Sequence, residues 1–252
     1  MWRMRLTVVG CAGSFPGPDS PSSCYLFEAD GFRLVVDMGH GALGVLQRYA
    51  GIADVDAVLL SHLHADHCVD LYGYRVARHY APGGPLPPIP VHAPGGALER
   101  IAKIHGVDDH DGVAGAFSFQ ALAPGSRQIG PFTVEAGHMN HPVETFGFRI
   151  SQAGASIAYS ADTGECDELV RLARGADLAL FEASFLTTQA GCPPNVHLTA
   201  RQAAEHATRA AAEHLLLTHL VPWNDPVASR EEAAKAFAGA LTLARSGLTI
   251  EL

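Results

Sequence analysis

Four side chains able to ligate a metal stand within six residues of the segment Ser61-His62-Leu63-His64-Ala65-Asp66-His67. The segment follows an apolar run, Asp56-Ala57-Val58-Leu59-Leu60, that reads as a strand. In extended backbone, residues two apart point the same way, so His62 and His64 can converge on one ion. Asp66 and His67 fall where the chain should turn into a helix, and they aim at a slightly different point. That arrangement suits two ions close enough to share one water, as two-metal hydrolases require. A His-rich loop can be plain solvated surface, but this spacing at the end of an apolar strand rarely arises by chance.

The pattern His-x-His-x-Asp-His resembles the signature of the metallo-β-lactamase superfamily. The resemblance implies three further ligands at strand ends, and the sequence supplies them: His141 in Met139-Asn140-His141-Pro142, Asp162 in Tyr159-Ser160-Ala161-Asp162-Thr163-Gly164, and His219 in Leu216-Leu217-Thr218-His219. Carried over residue by residue, one metal would take His62, His64 and His141. The other would take Asp66, His67 and His219, with Asp162 bridging both. Imidazole and carboxylate donors without thiolate suit Zn2+, with Mn2+ or Fe as alternatives. Two cations lower the pKa of a shared water toward neutrality, and Asp66 is placed to hold its proton. Relatives with Cys in place of Asp162 lean toward β-lactam chemistry; Asp leans toward phosphodiesters. An Asp at the position of Asp37 supports the metal-bearing loop in this superfamily. Asp37 can equally be a plain turn residue.

Two more segments resemble ribonuclease Z and its relatives: Phe181-Glu182-Ala183-Ser184-Phe185, and Val196-His197-Leu198-Thr199-Ala200. The resemblance pairs Glu182 with His197. A Glu that keeps a His protonated supplies a general acid for a departing alkoxide; the plainer role for His197 is a loop histidine before a helix. His138 reads as a neighbour or loop residue. His79, His92, His105, His110, His206 and His214 fit no pattern and read as structural. Ribonuclease Z carries a long arm for tRNA between its third and fourth ligand motifs. The short segment from His141 to Asp162 has room only for a hairpin. The opening loop Gly17 to Pro21, the segment Ser61 to Cys68 and the segment Pro142 to Gly147 are most similar to atypical class II-like cyclic-nucleotide phosphodiesterases. The resemblance therefore implies a dinuclear metal phosphodiesterase acting on a small diester such as a 3′,5′-cyclic nucleotide. The alternatives are a tRNA 3′-end endonuclease and a lactone or carboxyl-ester hydrolase. A catalytically silent metal-binding domain would be marked by a missing ligand, and none is missing.

Composition agrees with a small-molecule substrate. The net charge is −9, and the 17 Lys and Arg residues are dispersed. A protein that grips nucleic acid usually shows a basic stripe, so a large polyanion is disfavoured. No apolar run reaches the length of a membrane helix, and no signal peptide is evident. Five scattered cysteines without a C-x-x-C pair fit reduced thiols and a cytoplasmic setting.

The elements that must position these residues alternate along the chain. Strands are expected at Leu6 to Val9, at the hairpin Tyr25 to Glu28 and Arg33 to Val36, near Phe117 to Ala121 and Phe132 to Glu135, at Phe146 to Ile150, Ser156 to Tyr159, Leu178 to Phe181 and Leu215 to Thr218, and at Leu248 to Ile250. Helices are expected around Leu43 to Tyr49, over Val69 to Tyr80, at Leu98 to His105 and over Glu165 to Ala173. Two more should follow capping boxes at Thr199/Gln202 and Ser229/Glu232. Gly10-Cys11-Ala12-Gly13-Ser14 reads as a tight turn rather than a phosphate cradle, because the Walker pattern is absent. The Pro- and Gly-rich stretch Ala81 to Pro90 reads as a loop, either a connector or a gate over the site. With 48% apolar residues and no long linker, residues 1–252 read as one domain. The implied fold is α/β: an αββα sandwich of two mixed β-sheets flanked by helices. The family resemblance also implies that a homodimer can form, with apolar residues near Tyr72 and Tyr74 as its surface.

Overall fold

Short runs of β-branched and large apolar residues, punctuated by turn residues, set the strands. In the computed structural model, which describes residues 4–104, 110–189 and 192–252, the first of them form a meander. It comprises β1 (Arg5–Gly10), β2 (Cys24–Ala29) and β3 (Phe32–Val36), all antiparallel. Asp30 and Gly31 close its hairpin with φ of 50° and 81°, the left-handed pair that a two-residue turn requires. β4 (Ala57–Leu59), β5 (Ile89–Ala93) and β6 (Phe117–Ala121) then add in parallel. Their crossovers carry α1 (Ala42–Leu46), α2 (Ala65–Cys68), α3 (Asp70–His79), α4 (Ala97–Lys103) and α5 (His110–Ala116).

The second half repeats this plan. β7 (Gly125–Ile129), β8 (Phe132–His138), β9 (Phe146–Gln152) and β10 (Ala155–Tyr159) are antiparallel. β11 (Leu178–Glu182), β12 (His214–Thr218) and β13 (Ala240–Leu243) follow in parallel, with α6 (Asp167–Ala173), α7 (Ala200–Arg209) and α8 (Pro226–Ala234) between them. β14 (Thr249–Glu251) returns to pair with β1. Each seven-stranded sheet therefore joins an antiparallel half to a parallel half, in the orders β14-β1-β2-β3-β4-β5-β6 and β13-β12-β11-β10-β9-β8-β7.

Side-chain alternation assigns the layers. Leu6, Phe27, Leu34 and Leu59 meet Phe132, Phe148, Ile157 and Leu180 between the sheets. The opposite face of the first sheet, with Val35, Val58 and Leu60, packs on Leu46, Leu71, Tyr74 and Ile101 of the helices. The opposite face of the second, with Ala179, Phe181 and Leu217, packs on Leu169, Leu172, Ala203 and Ala207. The central parallel strands are buried on both faces, which is why they read as unbroken apolar runs. The result is the αββα sandwich expected from the sequence.

Several details differ from expectation. α8 is capped by Asp225, whose carboxylate accepts from Val227 N, with Pro226 in its first turn. Asp-Pro is the stronger start signal here, and it places Ser229 one turn inside the helix. Glu232 instead binds Thr187. By contrast, the Thr199–Gln202 box is formed in full at the start of α7. The stretch Ala81 to Pro90 ends in strand, since β5 begins at Ile89; the rest folds back on α3 through Leu86 N to Arg78 O. Tyr74 is fully buried and donates to Ile52 O, so it offers no exposed surface. β5 is hidden in the sequence by the Pro-rich stretch that runs into it, and β7 and β13 are short, partly exposed edge strands. His105, the expected end of α4, lies outside the described residues. No helix among the described residues is long and apolar enough to cross a membrane.

Candidate metal centre

The chemistry-bearing residues gather where strands of both sheets end. Asp37 follows β3, His62 follows β4, His141 lies in the β8–β9 loop, and Asp162, Glu182 and His219 lie at the ends of β10, β11 and β12. Open α/β sheets characteristically bind ligands at the carboxyl ends of their strands. Asp37, Ala161 and His219 each take left-handed backbone, with φ of 58°, 51° and 53°. For non-glycine residues this costs of order 1–3 kcal/mol each, and here it turns the chain sharply enough to aim consecutive side chains into one space.

Three groups of donor atoms form among the described residues, each with its atoms within 4.8 Å of one another: His62, His64, His141 and Asp162; Asp66, His67, Asp162 and His219; and, beside them, Glu182, His197 and His219. His62 Nε2 and His141 Nε2 lie 3.1 and 3.2 Å from His64 Nδ1. His67 Nε2 and His219 Nε2 are 3.3 Å apart, and Asp66 Oδ2 is 3.2 Å from His219 Nε2. Asp162 belongs to the first two groups. Its Oδ2 is 3.6 Å from His62 Nε2, while its Oδ1 is 3.2 Å from His67 Nε2 and 3.4 Å from His219 Nε2.

These separations fit a metal. Nitrogen ligands about 2.0–2.1 Å from tetrahedral zinc stand roughly 3.3 Å from each other. Asp162 Oδ1 is buried without a hydrogen-bond partner among the described residues, which a cation would resolve. The outer ring nitrogens are already engaged. His62 Nδ1 faces Ser61 Oγ at 3.1 Å, His67 Nδ1 faces Asp37 Oδ2 at 2.8 Å, His141 Nδ1 faces Val196 O at 2.9 Å, and His219 Nδ1 faces Ser184 Oγ at 2.8 Å. Such partners fix the ring orientation and turn Nε2 toward the cluster, where it is bare whenever the ring is neutral.

Asp37 is the hub of this support, and the structure decides between its two readings. Fully buried, it accepts from Ser61 N at 2.7 Å and from Ser61 Oγ, His67 Nδ1 and Tyr159 Oη at 2.8 Å each. The main chain is equally close. A Cβ on Gly39 would stand 1.8 Å from Asp66 O, and one on Gly13 2.4 Å from His219 O, so only glycine fits at either place. Gly10 to Ser14 is not the tight turn expected: Gly10 closes β1, Ala12 bridges Ser22 and Leu220, and the chain bends only from Gly13, which packs on the back of the His219 segment.

Charge in the cluster follows from burial and neighbours. Burial pushes His62, His64 and His141 below the ordinary imidazole range. Burial acts the same way on His67, but Asp162 and Asp37 on either side outweigh it and hold His67 well above that range. Burial raises Asp162 and Asp66; the surrounding histidines more than reverse this and keep both anionic. A cation entering here therefore meets charged carboxylates and mostly neutral imidazoles.

Glu182 and His197 flank the cluster. His197 Nδ1 donates to Glu182 Oε1 at 2.9 Å, and Glu182 also accepts from Thr163 N, Ser184 N and Ser184 Oγ. With its lone pairs so engaged, Glu182 is set to hold a proton on its partner. Burial opposes charge on His197, but Glu182 overcomes it and lifts the pKa to about 9. His138 is exposed and stacks on Phe146 away from the cluster. His206 and His214 are bonded to Gln202 O and Thr242 Oγ1, as structural histidines should be. The sequence reading gave no role to Ser61, Ser184 or Tyr159; all three stand beside quoted motif residues, which was the available signal. Cavities open on both flanks. One of about 360 Å³ reaches His64, and one of about 470 Å³ reaches His197 and Ser184. No residue of the Ala81 to Pro90 stretch lines either one.

Comparison with known proteins agrees with this geometry. The β-lactamase superfamily domain matches residues 33–220. An uncharacterized protein of Mycobacterium leprae is 41% identical over 99% of this chain and 89% of its own. The probable metallo-hydrolase YhfI of Bacillus subtilis is 31% identical over 98% of this chain and all of its own. Its crystal structure, a metallo-β-lactamase fold protein, superposes with a TM-score of 0.87 over 99% of this chain and 100% of that one. Ribonuclease Z of Mycobacterium bovis is 31% identical over 93% of this chain and 91% of its own. The short form of human tRNase Z, 21% identical with a TM-score of 0.78 over 98% of each chain, shares the fold. The chain thus belongs to the β-lactamase superfamily and is one of its metallo-hydrolases.

Proposed function

We propose that this protein is a dinuclear phosphodiesterase of small diesters, with a 3′,5′-cyclic nucleotide as the substrate the sequence resemblance favours. The observation that carries the reading is the split of Asp162, one oxygen toward each histidine group, with the Glu182–His197 pair beside it. His62, His64 and His141 would hold one ion and Asp66, His67 and His219 the other, with Asp162 shared. The donor set suits Zn2+ first, then Mn2+ or Fe. When bound, such ions lower the pKa of a water and offset the charge that builds on phosphoryl oxygens.

The chain's own residues supply the rest. Asp66, held anionic, accepts the proton of the attacking water. His197, anchored through Nδ1 on Glu182, presents Nε2 to the opposite flank and donates its proton to the departing alkoxide oxygen. Ser184 ties Glu182 to His219, so acid and cluster keep a fixed spacing. The relative named ribonuclease Z supports phosphorus as the centre attacked, and it also favours a second reading, a tRNA 3′-end endonuclease. The acidic charge and the hairpin between His141 and Asp162 support the smaller substrate.

The test compares substrates and one substitution. The purified protein is assayed on 3′,5′-cyclic AMP, bis-p-nitrophenyl phosphate, a pre-tRNA and a lactone. His197→Ala should slow cyclic AMP hydrolysis about 100- to 10,000-fold, the range of a lost general acid, and p-nitrophenyl release much less, because that group leaves without a proton. Metal content should not change. Turnover of pre-tRNA or lactone alone would overturn the substrate assignment, and loss of metal from His197→Ala would overturn the acid role.

A further inference from the structure

An aromatic shelf stands at the mouth of the cavity beside His197. Trp223 is 74% exposed and lines that cavity together with Ser14, Ser184, Phe185, Val196 and His197. A single exposed apolar side chain needs no explanation by itself, but one that lines a cavity together with His197 and Ser184 is placed to meet a ligand there. Trp223 packs on a second ring. Its ring lies 4.8 Å from that of Phe15 at 40°, and Phe15 follows the left-handed Ser14. The turn bearing Trp223 is tied by Asn224 N to Val221 O, by Asn224 Nδ2 to Ser184 O and by Gln189 Nε2 to Asn224 Oδ1. Ser184 is the residue that bonds both Glu182 and His219, so the shelf is registered to the reacting end of the cavity.

On the phosphodiesterase reading above, His197 marks the leaving-group flank, and whatever leaves must occupy the cavity that Trp223 borders. We infer that Trp223, backed by Phe15, is a specificity-determining stacking platform for a planar aromatic ring on the leaving alcohol, the base of a nucleoside. The volume of about 470 Å³ holds a nucleoside, and stacking on one open ring face tolerates any base. Discrimination here is between base-bearing and base-free diesters rather than among bases.

The experiment has a kinetic arm and a binding arm. Trp223→Ala and Trp223→Phe are assayed on 3′,5′-cyclic AMP and on its base-free analogue, methyl ribofuranoside 3,5-cyclic phosphate. Stacking on one aromatic side chain predicts an increase in KM for cyclic AMP of about 5- to 150-fold in the alanine variant, with most of it recovered by phenylalanine. The ratio of kcat/KM between the two substrates should fall at least fivefold. In the binding arm, AMP and ribose 5-phosphate are titrated against intrinsic fluorescence. The chain has two tryptophans, so Trp2 remains as the reference in Trp223→Phe. AMP should quench the wild type, ribose 5-phosphate should not, and the quench should vanish in Trp223→Phe. An unchanged substrate ratio, or no quench by AMP, overturns the platform. Quenching without turnover of any diester would leave the platform standing and refute the hydrolytic reading instead.

Discussion

Replacing Asp37 with Asn keeps the shape of the hub and removes its charge, and its consequence can be worked through atom by atom. Oδ1 accepts a backbone N–H from Ser61, and that donor cannot be reversed. Oδ2 accepts from Ser61 Oγ, Tyr159 Oη and His67 Nδ1. If the amide oxygen stays on Ser61 N, the NH2 group faces those three donors. The two hydroxyls can rotate to accept, but His67 can accept only with Nδ1 stripped of its proton, which leaves the ring's one remaining proton on Nε2, the nitrogen that faces the cluster. If the amide flips, Ser61 N–H meets an NH2 group and a buried donor is orphaned, at about 1–3 kcal/mol. The first arrangement costs the charge-assisted bond to His67, about 1.5–3 kcal/mol, and blocks a ligand atom. Between them the two routes weaken metal binding by roughly 5- to 150-fold, in line with losses seen when the outer partner of a metal-bound histidine is removed. Zinc affinity measured by competition with a chromophoric chelator, with the His67 tautomer read from nitrogen NMR, checks this. Ser61→Ala, which deletes one donor and no charge, should cost less. Zinc affinity within twofold of wild type, with Nδ1 of His67 still protonated, would show that the charge of Asp37 does not set this ligand.

Three further predictions rest on other parts of the structure. Glu182→Gln removes the charge that lifts His197; since the acid works only while protonated, diester cleavage in wild type should fall no later than about pH 9, and the alkaline limb of the kcat profile should move to lower pH in the variant. His92 lies on β5 beside Leu59 with Nδ1 unpartnered among the described residues, and burial, helped by Arg127, lowers it to about 4; its neutral form gives stability that is complete above pH 6.5 and lost as pH falls from there through 4, so His92→Leu should reduce the drop in stability between pH 7 and pH 4 by up to about 3 kcal/mol, read from urea denaturation. Gly39→Ala places a methyl against Asp66 O, which is backbone and cannot rotate away; it should lower both Tm and zinc affinity, whereas Gly44→Ala, with open space around it, should be neutral or slightly stabilising by circular dichroism.

The parts of this site legible in the sequence are those whose chemistry lies in adjacent residues. His62, His64, Asp66 and His67 come from one strand-to-helix turn, so local geometry alone brought them together. His141, Asp162 and His219 come from distant strand ends, and only the resemblance to a known family pointed to them. The strands were plain where both faces are buried, as in β11 and β12, because nothing polar interrupts the apolar run. β7 and β13 escaped notice because edge strands are half exposed and mix polar with apolar residues. The start of α8 was misplaced because a Ser-x-x-Glu pattern competes with Asp-Pro, and only packing shows that Ser229 is buried. The hub role of Asp37 depends on Tyr159 from the other sheet, a contact that sequence spacing does not encode.

Seven side chains closing around two cations would fix a metal stoichiometry. Elemental analysis of the folded protein, stripped with chelator and then reloaded with zinc, tests it most directly. Two equivalents per chain should bind, with release of the proton held on His67 and hence with a calorimetric heat that depends on the buffer. Asp162→Ala should lower the occupancy of both positions. One equivalent or none in a chain that circular dichroism shows to be folded would contradict it.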